Sequence, residues 1–185
     1  MIRMLSPALA VLSVALLFAV PVSAGPSLLD NGGFEQGCFD PTAAPRHWST
    51  EAFRLTSGFA WDDDVSHRGR ASVRIASDTL NDARWIQVVQ LDSHTDYVLS
   101  GYIKTEDVAH TSEVVDAGAN LSIIGLEDAF IFSEPLLGDH DWTFVEVRFN
   151  SGDRTEATVA CRLGMFAGET TGTMWCDDLR LREAR

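Results

Sequence analysis

From Gly25 onward the chain reads as short strand-forming segments separated by turn residues, and this pattern constrains the fold more than any other feature. Val98 to Lys104 alternates apolar and polar positions, as a half-buried strand does. Candidate strands are Gly33–Glu35, His47–Ser49, Ala71–Ala76, Trp85–Leu91, Tyr97–Lys104, Leu121–Ile124, Ala129–Phe132, Trp142–Phe149, Ala157–Met165 and Thr173–Leu181. Asp92-Ser93, Gly138-Asp139 and Asn150-Ser151-Gly152-Asp153 supply turn chemistry between them. No amphipathic helix appears after residue 25. Glu106 to Gly118 follows neither period and is expected to be a long loop. Regular short strands with such turns predict an all-β, antiparallel β-sandwich or barrel. No repeat or linker divides residues 25–185, so a single domain is expected.

The N-terminus has a different character. Arg3 precedes Ala8 to Val20, an apolar run broken only by Ser13; Pro21 ends it, and Val22-Ser23-Ala24 places small residues where a signal peptidase reads. This is the pattern of a signal peptide over residues 1–24. The run is short for a bilayer span, which takes about 20 residues. The expected localisation is therefore secreted, periplasmic or extracellular, with no membrane insertion after cleavage. Cys38, Cys161 and Cys176 then fall in an oxidising compartment, where one disulfide is expected and one thiol is left over. The sequence does not choose the pair. The leftover thiol would permit a disulfide-linked dimer.

Charge and motifs narrow the function by exclusion. With Lys plus Arg at 14 and Asp plus Glu at 27, the net charge is −13, which repels phosphate backbones and argues against nucleic-acid partners. The five histidines are dispersed, and neither H-E-x-x-H nor a G-x-S-x-G elbow occurs. A glycosidase needs two carboxylates held about 5 to 10 Å apart across a cleft, and the E-x-D-x-x-E strand of jelly-roll glucanases is missing. The chain is not expected to be an enzyme.

Several segments in order carry a more specific signal. These are Asn31-Gly32-Gly33-Phe34-Glu35, His67-Arg68-Gly69-Arg70-Ala71-Ser72, Gln87-Val88-Val89-Gln90-Leu91, Tyr97 to Thr105, Asp141-Trp142-Thr143, and Gly172-Thr173-Met174-Trp175-Cys176-Asp177-Asp178. Together they resemble the CenC-type carbohydrate-binding modules of families 4, 9 and 22, over residues 28 to 182. The resemblance implies a galactose-binding-like jelly roll that binds a polysaccharide or cell-surface glycan. It also implies a structural calcium ion (Ca2+), held by the carboxylates of Glu35 and Asp177 and the carbonyls of Gly33 and Arg70. Such a shell suits a hard cation that wants six to eight oxygens. Trp48 and Trp142 fall at positions that pack the core in such modules.

A sugar is bound by stacking its C–H face on an aromatic ring and flanking it with polar groups. Tyr102 is the first candidate, because Leu99, Gly101 and Ile103 alternate with it and would face the core. Trp85 and Trp61 are further candidate rings; Gln90, Glu146 and Arg148 are candidate polar partners. The expected function is a secreted, non-catalytic carbohydrate-binding module. The alternative is a structural or adhesive secreted protein that uses the same fold to bind protein partners.

Overall fold

The computed structural model describes residues 25–37, 44–110, 117–127, 131–166 and 168–184. The predicted signal segment and Cys38 lie outside them. The strands are β1 (Ser49–Ala52), β2 (Gly58–Asp62), β3 (Ser72–Asn81), β4 (Ala83–Gln90), β5 (Asp96–His110), β6 (Ala119–Ile124), β7 (Ile131–Phe132), β8 (Gly138–Asn150), β9 (Glu156–Leu163) and β10 (Thr170–Glu183). They pair antiparallel in two five-stranded sheets, ordered β1-β4-β9-β6-β7 and β2-β3-β10-β5-β8. The predicted antiparallel sandwich is what forms.

The side-chain period of two sorts each strand between core and solvent. In β5, Tyr97, Leu99, Gly101 and Ile103 are buried, while Val98, Ser100, Tyr102 and Lys104 point outward and are half-buried. The inward residues of both sheets form one core, in which Tyr97 stacks on Phe149 at 5.6 Å and Phe59 meets Trp85 edge-on at 5.5 Å. A disulfide joins Cys161 of β9 to Cys176 of β10, with Cα atoms 6.4 Å apart, and so ties one sheet to the other through the core. The structure thereby settles the pairing that the sequence left open.

Four local expectations are corrected. Gly33–Glu35 is a turn, not a strand: Phe34 adopts a left-handed φ of 56° and donates its N–H to the Asn31 carbonyl at 3.0 Å. The His47–Ser49 segment turns at His47, whose φ is 69°, and the strand starts at Ser49. Gly58–Asp62 forms a strand that the acidic run beside it concealed. The predicted loop from Glu106 is strand as far as His110. There Glu106 and the left-handed Asp107 (φ 52°) are both exposed, and the register slips against both neighbours, so the bulge hides the alternation.

Candidate functional site

The outer face of the β10-β5-β8 ribbon carries a groove of about 440 Å³, within the range of small-molecule sites. Cross-strand register builds it in rows. Arg182, Val98 and Arg148 form one, Arg180, Ser100 and Glu146 the next, and Tyr102 beside Phe144 the third. Tyr102, Glu146 and Arg148 are thus brought together, as the sequence suggested. Their common parity on adjacent strands places them on one face.

The aromatic end of the groove is layered. His67 stacks on Tyr102 with ring centroids 3.7 Å apart and 16° between planes, and Trp142 tilts against His67 at 5.8 Å. Trp142 is therefore on the outer face and half-buried, not in the core. Asp178 accepts or shares a proton with His67 Nδ1 at 2.7 Å, which fixes the imidazole beneath the tyrosine. Phe144 closes the other side, 5.5 Å from Tyr102, and is 52% exposed. One face of Tyr102 is occupied by His67, so Phe144 is the ring most open to a ligand. Its alternation with Glu146 and Arg148 was the signal that could have found it.

A bulge in β10 makes this geometry. The register slips between Asp177 and Arg180, with Asp178 at a left-handed φ of 53°. Gly101 lies opposite: a Cβ there would come within 2.3 Å of the Leu179 side-chain end and 3.3 Å of the Asp177 carbonyl, so a larger residue would displace that buried leucine. The slip sends Asp177 into the structure and turns Arg180 and Arg182 to the groove.

The other candidate residues are placed elsewhere. Trp85 is 2% exposed; its indole crosses the core and donates to the Arg74 carbonyl of the facing sheet at 3.0 Å, leaving no face for a sugar. Gln90 projects from the opposite sheet and donates to Glu156 at 2.9 Å, far in topology from Tyr102. Trp61 is half-buried, donates to the Phe34 carbonyl at 2.8 Å and packs where Gly37 leaves room. It lines a small separate groove with Asp63 and Arg70.

Glu35 and Asp177 do grip one loop, residues 67–71. Glu35 Oε1 accepts the N–H groups of Arg70 at 2.8 Å and Ala71 at 3.3 Å; Asp177 Oδ2 accepts those of His67 at 2.9 Å and Arg68 at 3.0 Å. Asp177 Oδ1 accepts from Asp178 at 2.6 Å. Burial pushes the Asp177 carboxyl up to about 6, against the pull of these amides and with help from the nearby Asp178 charge. Gly69, at φ 74°, lets the loop pass so near that a Cβ would sit 2.1 Å from Glu35 Oε1. A carboxylate offers about four lone pairs, so open positions remain on Glu35 Oε2 and Asp177 Oδ1. The exposed Arg70 guanidinium stands 3.7 Å from the former. The donor chemistry therefore fits a hard cation only if carbonyls complete the shell. Among the described residues no group of three or more His, Cys, Asp or Glu converges.

A second, more apolar hollow of about 830 Å³ lies beside β1 and β4, bordered by Phe53, Leu55 and Phe166. Its polar groups are already engaged with one another: Asp82 with Arg162, Arg84 with Glu51, and Arg54 with Glu169. In the Tyr102 groove, by contrast, the Ser100 and Tyr102 hydroxyls and the Arg180 guanidinium make no hydrogen bond with any of the described residues. Donors held ready for a ligand distinguish the first site.

No protein-family model matches the chain, and no curated protein matches it in sequence. Solved structures do share its fold. One is a family 61 carbohydrate-binding module in complex with β-1,4-galactotriose, at TM-score 0.52 and 19% identity, covering 86% of this chain and all of the other. Another is the CBM22-1 xylan-binding domain of Paenibacillus barcinonensis Xyn10C, at TM-score 0.54 and 13% identity, covering 88% and 97%. The enzymatically active domain of bacteriophage CBA120 tailspike protein 4 aligns at TM-score 0.59 and 10% identity over 85% of this chain, which spans only 21% of that one. With two antiparallel five-stranded sheets and these neighbours, the protein has the jelly-roll fold of the carbohydrate-binding modules.

Proposed function

We propose that this protein is a secreted, non-catalytic glycan-binding module whose ligand lies in the Tyr102 groove. One observation carries the reading: an exposed aromatic ring, Phe144, stands beside unengaged hydroxyl and guanidinium donors in a groove of sugar-binding size. Phe144 stacks on the C–H face of the sugar, and Ser100, Tyr102 and Arg180 bind its hydroxyls. Glu146 pairs with Arg148 and Asp178 with His67, which holds these side chains in place along the groove. The structural neighbours, one in complex with β-1,4-galactotriose and one a xylan-binding domain, support the ligand class.

Affinity electrophoresis against a panel of soluble polysaccharides tests it. Phe144→Ala and Tyr102→Ala should each weaken binding by about tenfold, the loss of roughly 1.4 kcal/mol of ring contact. Phe144 is the cleaner substitution, since Tyr102 also packs His67. Unchanged affinity in both variants rejects this face.

The same reading includes a calcium ion at Glu35 and Asp177. When bound it would neutralise the two carboxylates and clamp the 67–71 loop. Saturating calcium should then raise the melting temperature of chelator-treated protein by several degrees, as about 2.7 kcal/mol of linkage at a hundredfold excess over Kd requires. An identical melt with and without calcium removes the ion from the proposal.

A second reading, adhesion through protein contacts, draws on the exposed Phe53, Leu55 and Phe166 (73%, 101% and 46%). Its covalent form, a dimer through Cys38, predicts a band of twice the monomer mass on a non-reducing gel that reductant abolishes; a monomer in both lanes removes it.

A further inference from the structure

The arginines of the groove do more than hydrogen-bond a neutral sugar. The chain carries nearly two acids for every base, at a net charge of −13. Yet four arginines, Arg68, Arg148, Arg180 and Arg182, line this one groove against three carboxylates, Glu146, Asp178 and Glu183. Two of the four are accounted for. Arg148 contacts Glu146 at 3.3 Å, and Arg68 lies 3.8 Å from Asp178, whose oxygen already engages His67. Arg180 and Arg182 form no ion pair with any described residue. Arg182 Nε is, further, buried without a hydrogen-bond partner.

In an acid-rich protein, two neighbouring guanidinium groups without a carboxylate partner reverse the local charge pattern. They repel each other, and a buried N–H without an acceptor, as at Arg182 Nε, is destabilising. The geometry suits a planar or tripodal anion. Arg180 and Arg182 are two residues apart on the same face of β10, so their Cα atoms stand about 7 Å apart along the strand. Arg148 stands in the same row as Arg182, across Val98. The guanidinium fork matches carboxylate-like oxygen pairs in a way that lysine does not.

We infer that the groove selects an acidic glycan, one bearing carboxylate or sulfate groups, with Arg180 and Arg182 binding its charge and Phe144 its ring. This rests on the reading of the groove as a glycan site and adds the class of sugar. The overall negative charge does not oppose it at working ionic strength. Charges more than about 8 Å away are largely screened, so the local arginines govern the bound anion.

The experiment measures binding of the full chain to two matched pairs in 0.15 M salt. One pair is polygalacturonate and its fully methyl-esterified form; the other is dextran sulfate and dextran. The acidic member of one pair should bind at least tenfold more tightly than its neutral partner. Which pair shows this identifies carboxylate or sulfate as the recognised group. Arg180→Gln with Arg182→Gln should bring the acidic polymer down to the neutral level. Arg180→Gln alone, at an exposed position, should lose about tenfold without lowering the melting temperature. An acidic preference that survives both substitutions overturns the assignment. Equal binding within each pair, weakened by Phe144→Ala, overturns the acidic class and leaves the glycan reading standing. No retention of any polymer by folded protein removes both.

Discussion

Replacing Arg162 with alanine should destabilise the protein by about 3–5 kcal/mol, the largest effect expected of any single substitution considered for this fold. Arg162 is on β9, fully buried, and its guanidinium forms a two-pronged pair with Asp82: Nε donates to Oδ1 at 2.6 Å and a second nitrogen to Oδ2. The Phe166 ring lies beneath it at 4.7 Å, and the Phe166 N–H also donates to Asp82 at 3.0 Å. Removing the arginine strands a nearly buried carboxylate whose remaining cation, Arg84, is 3.6 Å away. The magnitude reflects that stranded charge more than the worth of the pair. Replacing both partners, Arg162→Met with Asp82→Leu, should accordingly recover most of the loss, because a buried ion pair and its apolar substitute are often close in energy. Urea melts of the three proteins decide it. A single-variant loss below about 1 kcal/mol would mean that water reaches Asp82 and the pair is not buried in solution.

Cys161→Ser combined with Cys176→Ser should cost about 3 kcal/mol, the loop-closure value for a bridge spanning 15 residues. At roughly 2–4 °C per kcal/mol for a chain of this size, the melting temperature should fall by about 6–12 °C. Both sulfurs are inaccessible in the native state. Reductant added to folded protein should therefore act only as fast as the sandwich opens, and thiol release should track the unfolding rate. Immediate release of two thiols at low denaturant would show that the sheets part locally at that point. The expectation for the melt fails if the variant and the parent unfold together.

The residues that were legible in the sequence are those whose strands keep a clean alternation. In β5 the parity of Leu99, Gly101 and Ile103 placed Tyr102 outward, and in the structure Glu146 and Arg148, named from residue chemistry alone, fall beside it at the same parity in β8. β4 offers no such contrast. Ile86 and Val88 face out while the amide of Gln87 faces in, engaged by the backbone of Asp30. Trp85 therefore remained a further candidate ring behind Tyr102, although its parity matches buried Val89. Gln90 failed for a topological reason: β4 and β5 are consecutive in the chain but belong to opposite sheets. Arg180 and Arg182 were hidden by the bulge at Asp178. Strict alternation from the inward Cys176 turns both arginines into the core, and only the extra residue restores them to the surface.

The groove has one more neighbour. The segment at Gly25 and the last strand run side by side, joined where Leu28 donates its N–H to the Leu181 carbonyl at 2.8 Å, and Gly25 and Ala184 both border the Tyr102 groove. Whatever is attached at residue 25 or after residue 184 leaves from the rim of the candidate site. A purification tag at either end would hang over the mouth of the groove, and a highly charged one would compete with the polymer being measured. A tag removed before assay avoids that interference. By the same geometry, an enzyme domain fused there would be held within reach of the captured chain.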